Sequence, residues 1–127
     1  MSIPVLLKGS NGVQTVALES KLMCDRRIFI TGDINAESAM DFFKQIMLLN
    51  QEDNSSPISV FINSPGGEID NGLLIYDTII GSEAPVRTCC CGCAYSMGAL
   101  LFASGKETLL LDAVCQIRVK TKTACHY

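Results

Sequence analysis

Short apolar runs and helically spaced apolar positions alternate along this chain. Residues 27–31, RIFIT, are β-branched or aromatic and end at Gly32, which predicts a strand. Apolar residues then recur at Ala36, Ala39, Met40, Phe43, Ile46 and Met47, the spacing of one helix face, with Asn35 as its N-cap. A polar loop is expected over 50–57. Residues 58–63, ISVFIN, read as a strand apolar on both faces, as in a covered parallel sheet. Residues 64–67, SPGG, form a turn. Ile69, Leu73, Tyr76 and Ile80 mark a second helix closing at Gly81. A third strand is expected over 84–91 and is broken by Gly92. An apolar helix over 96–104 stops at Gly105, and 107–111 make a last strand.

The order β-α-β-α-β-α-β with short connections predicts an α/β fold with a mostly parallel sheet and right-handed crossovers. One domain is expected over 1–127, with no repeat or linker. Residues 112–127 form an atypical tail in which no period is legible, and no structure is assigned to it. Hydrophobic residues at 48% and charged ones at 18% favour a globular chain over a disordered one. A formal charge of −3 argues against a nucleic-acid surface. No apolar run reaches the ~18 residues of a membrane span, and the start lacks the pattern of a secretory leader, so a cytoplasmic protein is expected. Seven cysteines without such a leader suggest reduced thiols.

Two candidate chemistries meet in residues 89–100, CCCGCAYSMGAL. Cys90 and Cys93 have the C-x-x-C spacing of a zinc site, with Cys125 and His126 as possible further ligands. A second pair at proper spacing is missing. Strand alternation also sends Cys89 and Cys91 to the face opposite Cys90, so passive packing is the expected role and no metal is expected. Ser96 stands where a strand gives way to a helix, with Ala94 two residues before and Gly98 two after. A nucleophile on a sharp strand-to-helix turn needs such small neighbours. The N–H of Met97, at the helix start, is then available to a developing oxyanion. A plain N-cap serine fits the same position. Gly66-Gly67 occupies the corresponding place in the preceding β-turn-α unit, and parallel strands bring both turns to one sheet edge, where sites of open α/β folds gather.

The stretches DRRIFITGDI, FINSPGGEIDNGLLIYDTI and AYSMGALLFASGK strongly resemble the proteolytic subunits of ATP-dependent Clp proteases. The resemblance runs from near IPVLL to about Gly105-Lys106. Crotonases share the fold and the oxyanion logic but not these motifs. It implies repeated β-α units of the Clp protease and crotonase type, and a serine endopeptidase that cleaves unfolded proteins to peptides. Ser96 matches the nucleophile, and Gly67 and Met97 match the two N–H donors of the oxyanion hole. Gly66, Gly67, Glu68 and Ile69, together with the strand after the Ser96 helix, match the walls that hold an extended peptide by strand addition. The family forms heptameric rings stacked in pairs and fed by an AAA+ ATPase unfoldase. The proteolytic subunit itself uses no cofactor.

The chain also departs from the family pattern. Cys93-Ala94-Tyr95 replaces Gln-Ala-Ala before the serine, and Tyr95 puts a ring beside the nucleophile. Val119 or Thr121 stands where the family has its histidine, and the sole histidine, His126, lies 30 residues after Ser96 (126 − 96). Asp112 is not expected to be the third member of a triad. The family's aspartate and its helix-strand handle are not found. Leu111–Ile117 can be encoded so that a one-base shift yields Leu-Met-Pro-Ser-Ala-Arg-Phe, which is family wording. The expectation is a tail altered by frameshift or truncation after about residue 110. Without the family's histidine and aspartate, weak or absent peptidase activity is expected of this chain, and the alternative is a non-catalytic structural or regulatory subunit of a mixed ring.

Overall fold

In the computed structural model, which describes residues 3–9, 12–110 and 116–118, an N-terminal hairpin and a short helix lead into a parallel sheet. Strands β1 (Pro4–Gly9) and β2 (Gly12–Ala17) pair antiparallel and are followed by α1 (Leu18–Cys24). No element was expected there. The stretch is mostly exposed, so it carries little of the burial pattern from which elements are read.

Strands β3 (Arg27–Thr31), β4 (Ile58–Ser64), β5 (Val86–Tyr95) and β6 (Glu107–Leu110) stand side by side in chain order, every pair parallel. Helices α2 (Ala36–Glu52), α3 (Ile69–Gly81) and α4 (Met97–Ala103) make the crossovers. Parallel neighbours in sequential order put right-handed crossovers on one face, and α2, α3 and α4 touch in that order. The core lies between them. Ile28, Ile30, Val60, Ile62 and Cys90 point into it from the strands, against Phe42, Ile46, Ile75 and Leu101 from the helices. Each buried aliphatic side chain contributes about 1.5–3 kcal/mol. The other face of the sheet is less covered: Phe29 remains 40% exposed and stacks on Phe61 with ring centroids 5.2 Å apart.

Asn35 caps α2 as expected. Its side chain accepts the Ser38 N–H at 2.9 Å, and the Ser38 hydroxyl accepts the Asn35 N–H at 3.0 Å. The helix runs on to Glu52, beyond the expected loop start. Arg26, at φ 61°, ties down that end. Its guanidinium donates to the carbonyls of Leu49 (3.0 Å), Asp53 (2.7 Å) and Ser56 (2.8 Å). The Leu49 carbonyl also accepts the Asp53 N–H at 3.0 Å, so Arg26 joins the end of α2 to the loop that follows it.

Two expectations are corrected in β5 and beyond. Gly92 does not end the strand. Ile62 pairs with Cys90 and Ser64 with Ala94, so a step of two in β4 (64 − 62) faces a step of four in β5 (94 − 90). The surplus is a bulge, and Gly92 at φ 93° supplies the backbone turn it requires. A short strand β7 (Gln116–Arg118) also forms, pairing parallel with Cys93–Tyr95. Three residues paired only at a strand end have no period to read. Asp112, Val119, Thr121, Cys125 and His126 lie outside the described residues.

Candidate active site

Ser96 occupies the step between β5 and α4 at φ 53°, ψ −117°. A helix N-cap normally has extended backbone and a hydroxyl bonded to the helix N–H groups. Ser96 has neither. Its side chain makes no capping bond and, among the described residues, no other hydrogen bond, and the residue is exposed. A non-glycine residue in this region of φ is strained and persists only where its surroundings hold it. Here the close contacts of its neighbours do so. Gly98 packs on β4 so tightly that a Cβ there would lie 2.9 Å from the Ser64 carbonyl oxygen. The Met97 side chain lies in the space opened by Gly72 of α3.

The turn after β4 reaches the same place. A Cβ on Gly66, at φ 104°, would lie 2.9 Å from the carbonyl oxygen of Tyr95, 3.1 Å from Cβ of Ser96 and 3.2 Å from the nitrogen of Met97. The glycine thus lets one backbone touch the other. Gly67 is bridged to Ile34 in parallel fashion. The Ile34 N–H donates to the Gly66 carbonyl at 3.0 Å, and the Glu68 N–H donates to the Ile34 carbonyl at 2.9 Å. In a parallel bridge the bonds come from the residues flanking the central one. The N–H of Gly67 itself therefore points to the opposite edge, the side along which β5 runs. Neither it nor the Met97 N–H has a hydrogen-bond partner among the described residues. Strand ends of a parallel sheet, two glycine-permitted contacts and a strained serine thus bring Ser96, Gly66, Gly67 and Met97 together.

Glu68 and Ile69 follow at once. The exposed Glu68 carboxylate accepts from the Asn71 side chain. Extended backbone ends at Glu68, and Ile69 opens α3, 68% exposed. Tyr95 is half-buried beside the serine and pairs in register with Arg118 of β7, so β7 runs toward Ser96.

Two residues of the motif that carries the resemblance, Asn63 and Ser64, take no role of their own from the sequence. Asn63 presents its side-chain oxygen to the bulge, accepting the Cys93 N–H at 3.3 Å and lying 3.4 Å from the Cys93 Sγ. Ser64, fully buried, donates to the Gly32 carbonyl at 2.7 Å and accepts the Gly66 N–H at 3.1 Å. Their only signal is their place ahead of Pro-Gly-Gly.

Among the described residues no cluster of three His, Cys, Asp or Glu side chains is arranged to hold a metal. Burial, and secondarily the neighbouring Cys91, pushes the Cys89 thiol up; burial alone raises Cys91. Raised thiols stay protonated, as packing groups do. Cys24, Cys89, Cys91 and Cys93 are free thiols. A cavity of about 440 Å³ lies between the C-terminal ends of α2 and α3, lined by residues such as Phe43, Met47, Asp77 and Ser82. It includes none of the candidate site residues.

A Clp protease family model matches residues 10–117. The chain belongs to the Clp protease family. It is 41% identical over 106 residues to the ATP-dependent Clp protease proteolytic subunit 3 of Synechococcus sp. strain CC9605, covering 84% of this chain and 53% of that protein. It is also 41% identical over 106 residues to the ATP-dependent Clp protease proteolytic subunit 1 of Borreliella burgdorferi, covering 83% of this chain and 55% of that protein. This Clp protease chain spans about half the length of the curated relatives it matches. Among its described residues no helix is long and apolar enough to cross a membrane.

Proposed function

We propose that this chain is a Clp-type proteolytic subunit, a serine endopeptidase by design, acting on unfolded polypeptide in the cytoplasm. Ser96 Oγ attacks the scissile carbonyl; with Val119 and Thr121 where the family carries its histidine, its proton passes to water and the attack is slow. The N–H groups of Gly67 and Met97 receive the negative charge that develops on the carbonyl oxygen. Collapse then expels the amine with a proton, and water releases the acyl group from Ser96. Gly66, Gly67, Glu68 and Ile69 line the approach and hold the substrate backbone. The partners are a second copy of the chain in a ring and an AAA+ Clp ATPase that unfolds the substrate. No metal or nucleotide enters these steps.

One observation carries this reading. Ser96 is held at positive φ, its hydroxyl has no hydrogen-bond partner among the described residues, and its Cβ and the Met97 nitrogen stand against Gly66, the residue before Gly67. A fluorophosphonate probe tests it. Labelling of the wild-type protein that disappears in Ser96→Ala, with both proteins folded by circular dichroism, is the expected result. Equal labelling of the two would sink it.

A second reading is a non-catalytic subunit of a mixed ring. It is favoured by Val119 and Thr121 standing where the family carries its histidine. A serine without its base retains only the oxyanion and binding contributions, several powers of ten below a full site. Folded protein that stays unlabelled over hours, yet enters rings with an active Clp subunit, would select this reading.

A further inference from the structure

We infer that Ser64 is a positioning residue, whose hydroxyl sets the direction of the Gly67 N–H. The inference rests on the reading of Gly67 as an oxyanion donor and adds the residue that aims it. Ser64 is the last residue of β4 and fully buried, where an unpaired hydroxyl would be unfavourable. Both of its capacities are used. Its O–H donates to the carbonyl of Gly32, just past the end of β3, at 2.7 Å, and its oxygen accepts the N–H of Gly66 at 3.1 Å.

The second bond matters most for the site. Gly66 stands at φ 104°, a conformation glycine leaves freely, and the peptide that follows it carries the Gly67 N–H. Two further bonds restrain this turn from the β3 side, Ile34 N–H to Gly66 carbonyl and Glu68 N–H to Ile34 carbonyl. The Gly66 carbonyl belongs to the same peptide as the Gly67 N–H. Fixing Gly66 at its nitrogen through Ser64 and at its carbonyl through Ile34 leaves that peptide one orientation, with the N–H away from Ile34. Ser64 also touches the other half of the site, since its own carbonyl oxygen is the group on which Gly98 of α4 packs. One residue thus spaces the oxyanion turn from the helix that follows Ser96.

The test compares wild type, Ser64→Ala and Ser64→Cys, the last keeping a weak donor and acceptor of similar size. Two readouts are taken on each protein: the ¹⁵N–¹H resonances with amide hydrogen exchange at Gly66 and Gly67, and the rate of phosphonylation by a fluorophosphonate. In Ser64→Ala, exchange at Gly66 is expected to rise about tenfold, the equivalent of one ordinary hydrogen bond. The Gly67 resonance shifts, and phosphonylation slows by about tenfold or more. In the wild type the Gly67 amide proton moves downfield on phosphonylation, and in Ser64→Ala that movement is reduced. Ser64→Cys lies between the two. A folded Ser64→Ala with wild-type resonances and wild-type phosphonylation overturns the inference. If Ser64→Ala does not fold, Ser64→Cys decides in the same two readouts. A wild type that is never phosphonylated counts against the peptidase reading, while the exchange and resonance comparison still decides whether Ser64 holds the turn.

Discussion

Gly66 is where the site is most sensitive to a single atom. A methyl group there would meet the Tyr95 carbonyl oxygen at 2.9 Å and Cβ of Ser96 at 3.1 Å, on a backbone at φ 104°. The nearest atoms are backbone or the nucleophile's own Cβ, so no flexible side chain can give way. Left-handed backbone alone costs a non-glycine residue about 1–2 kcal/mol, and the contact adds to that. Gly66→Ala is therefore expected to lower stability by about 2 kcal/mol or more and to abolish labelling of Ser96. Chemical denaturation and probe labelling, measured together, check this; unchanged labelling would contradict the close approach. Gly92 plays the parallel part in β5, facing the Asn63 side chain across the bulge.

At the scale of elements, the connection from α2 to β4 is held by a polar knot. Asp53 accepts from the Ser56 hydroxyl at 2.6 Å and the Ser55 hydroxyl at 2.7 Å, and from the N–H groups of Ser55 at 2.8 Å and Ser56 at 3.2 Å. The Ser56 side chain first, then the Ser55 side chain and the two N–H groups, hold this carboxyl well below the usual carboxylate range. A depressed folded pKa contributes stability that is fully present above the unfolded value, about 3.9 for aspartate. That contribution is lost as pH falls through the lower folded value. Asp53→Asn should therefore lower the melting temperature at neutral pH, with the gap from wild type closing in strong acid. A gap independent of pH would show that Asp53 acts by packing. Arg26 adds to the same knot by bonding the Asp53 carbonyl rather than its carboxylate.

For the whole molecule, the outer face of α3 is the feature that the single chain does not use. Ile69, Leu73 and Ile80 stand at helical spacing and are 68%, 43% and 58% exposed. Met40 and Met47 of the neighbouring α2 are exposed as well. Apolar surface of this kind on an isolated chain marks an interaction site, which supports the proposed ring. Leu73→Glu is expected to leave the melting curve nearly unchanged and to shift sedimentation toward the monomer. A wild type that is monomeric across the accessible concentration range would remove the premise.

The succession of strands and helices was legible because burial imposes its periods on the residues. RIFIT alternates buried and exposed, and Ala39, Ile46 and the cap at Asn35 mark α2. The strand-end positions of Ser96, Gly66 and Gly67 followed from that order. Sequence patterns could not tell a capping serine from a strained one, because both stand at the same step. That distinction depends on φ at residue 96, which is set by packing of Gly98 on Ser64, Met97 on Gly72 and Gly66 on Tyr95, contacts among residues far apart in the chain. The bulge at Gly92, the strand at 116–118 and the bonds of Asn63 and Ser64 were hidden for the same reason. Local periodicity records the type of an element, but not always its buried side: on α3 the stripe Ile69, Leu73 and Ile80 is exposed while Ile75 and Ile79 are buried. Which backbone group meets which, and in what direction an N–H points, is decided only when distant segments close on one another.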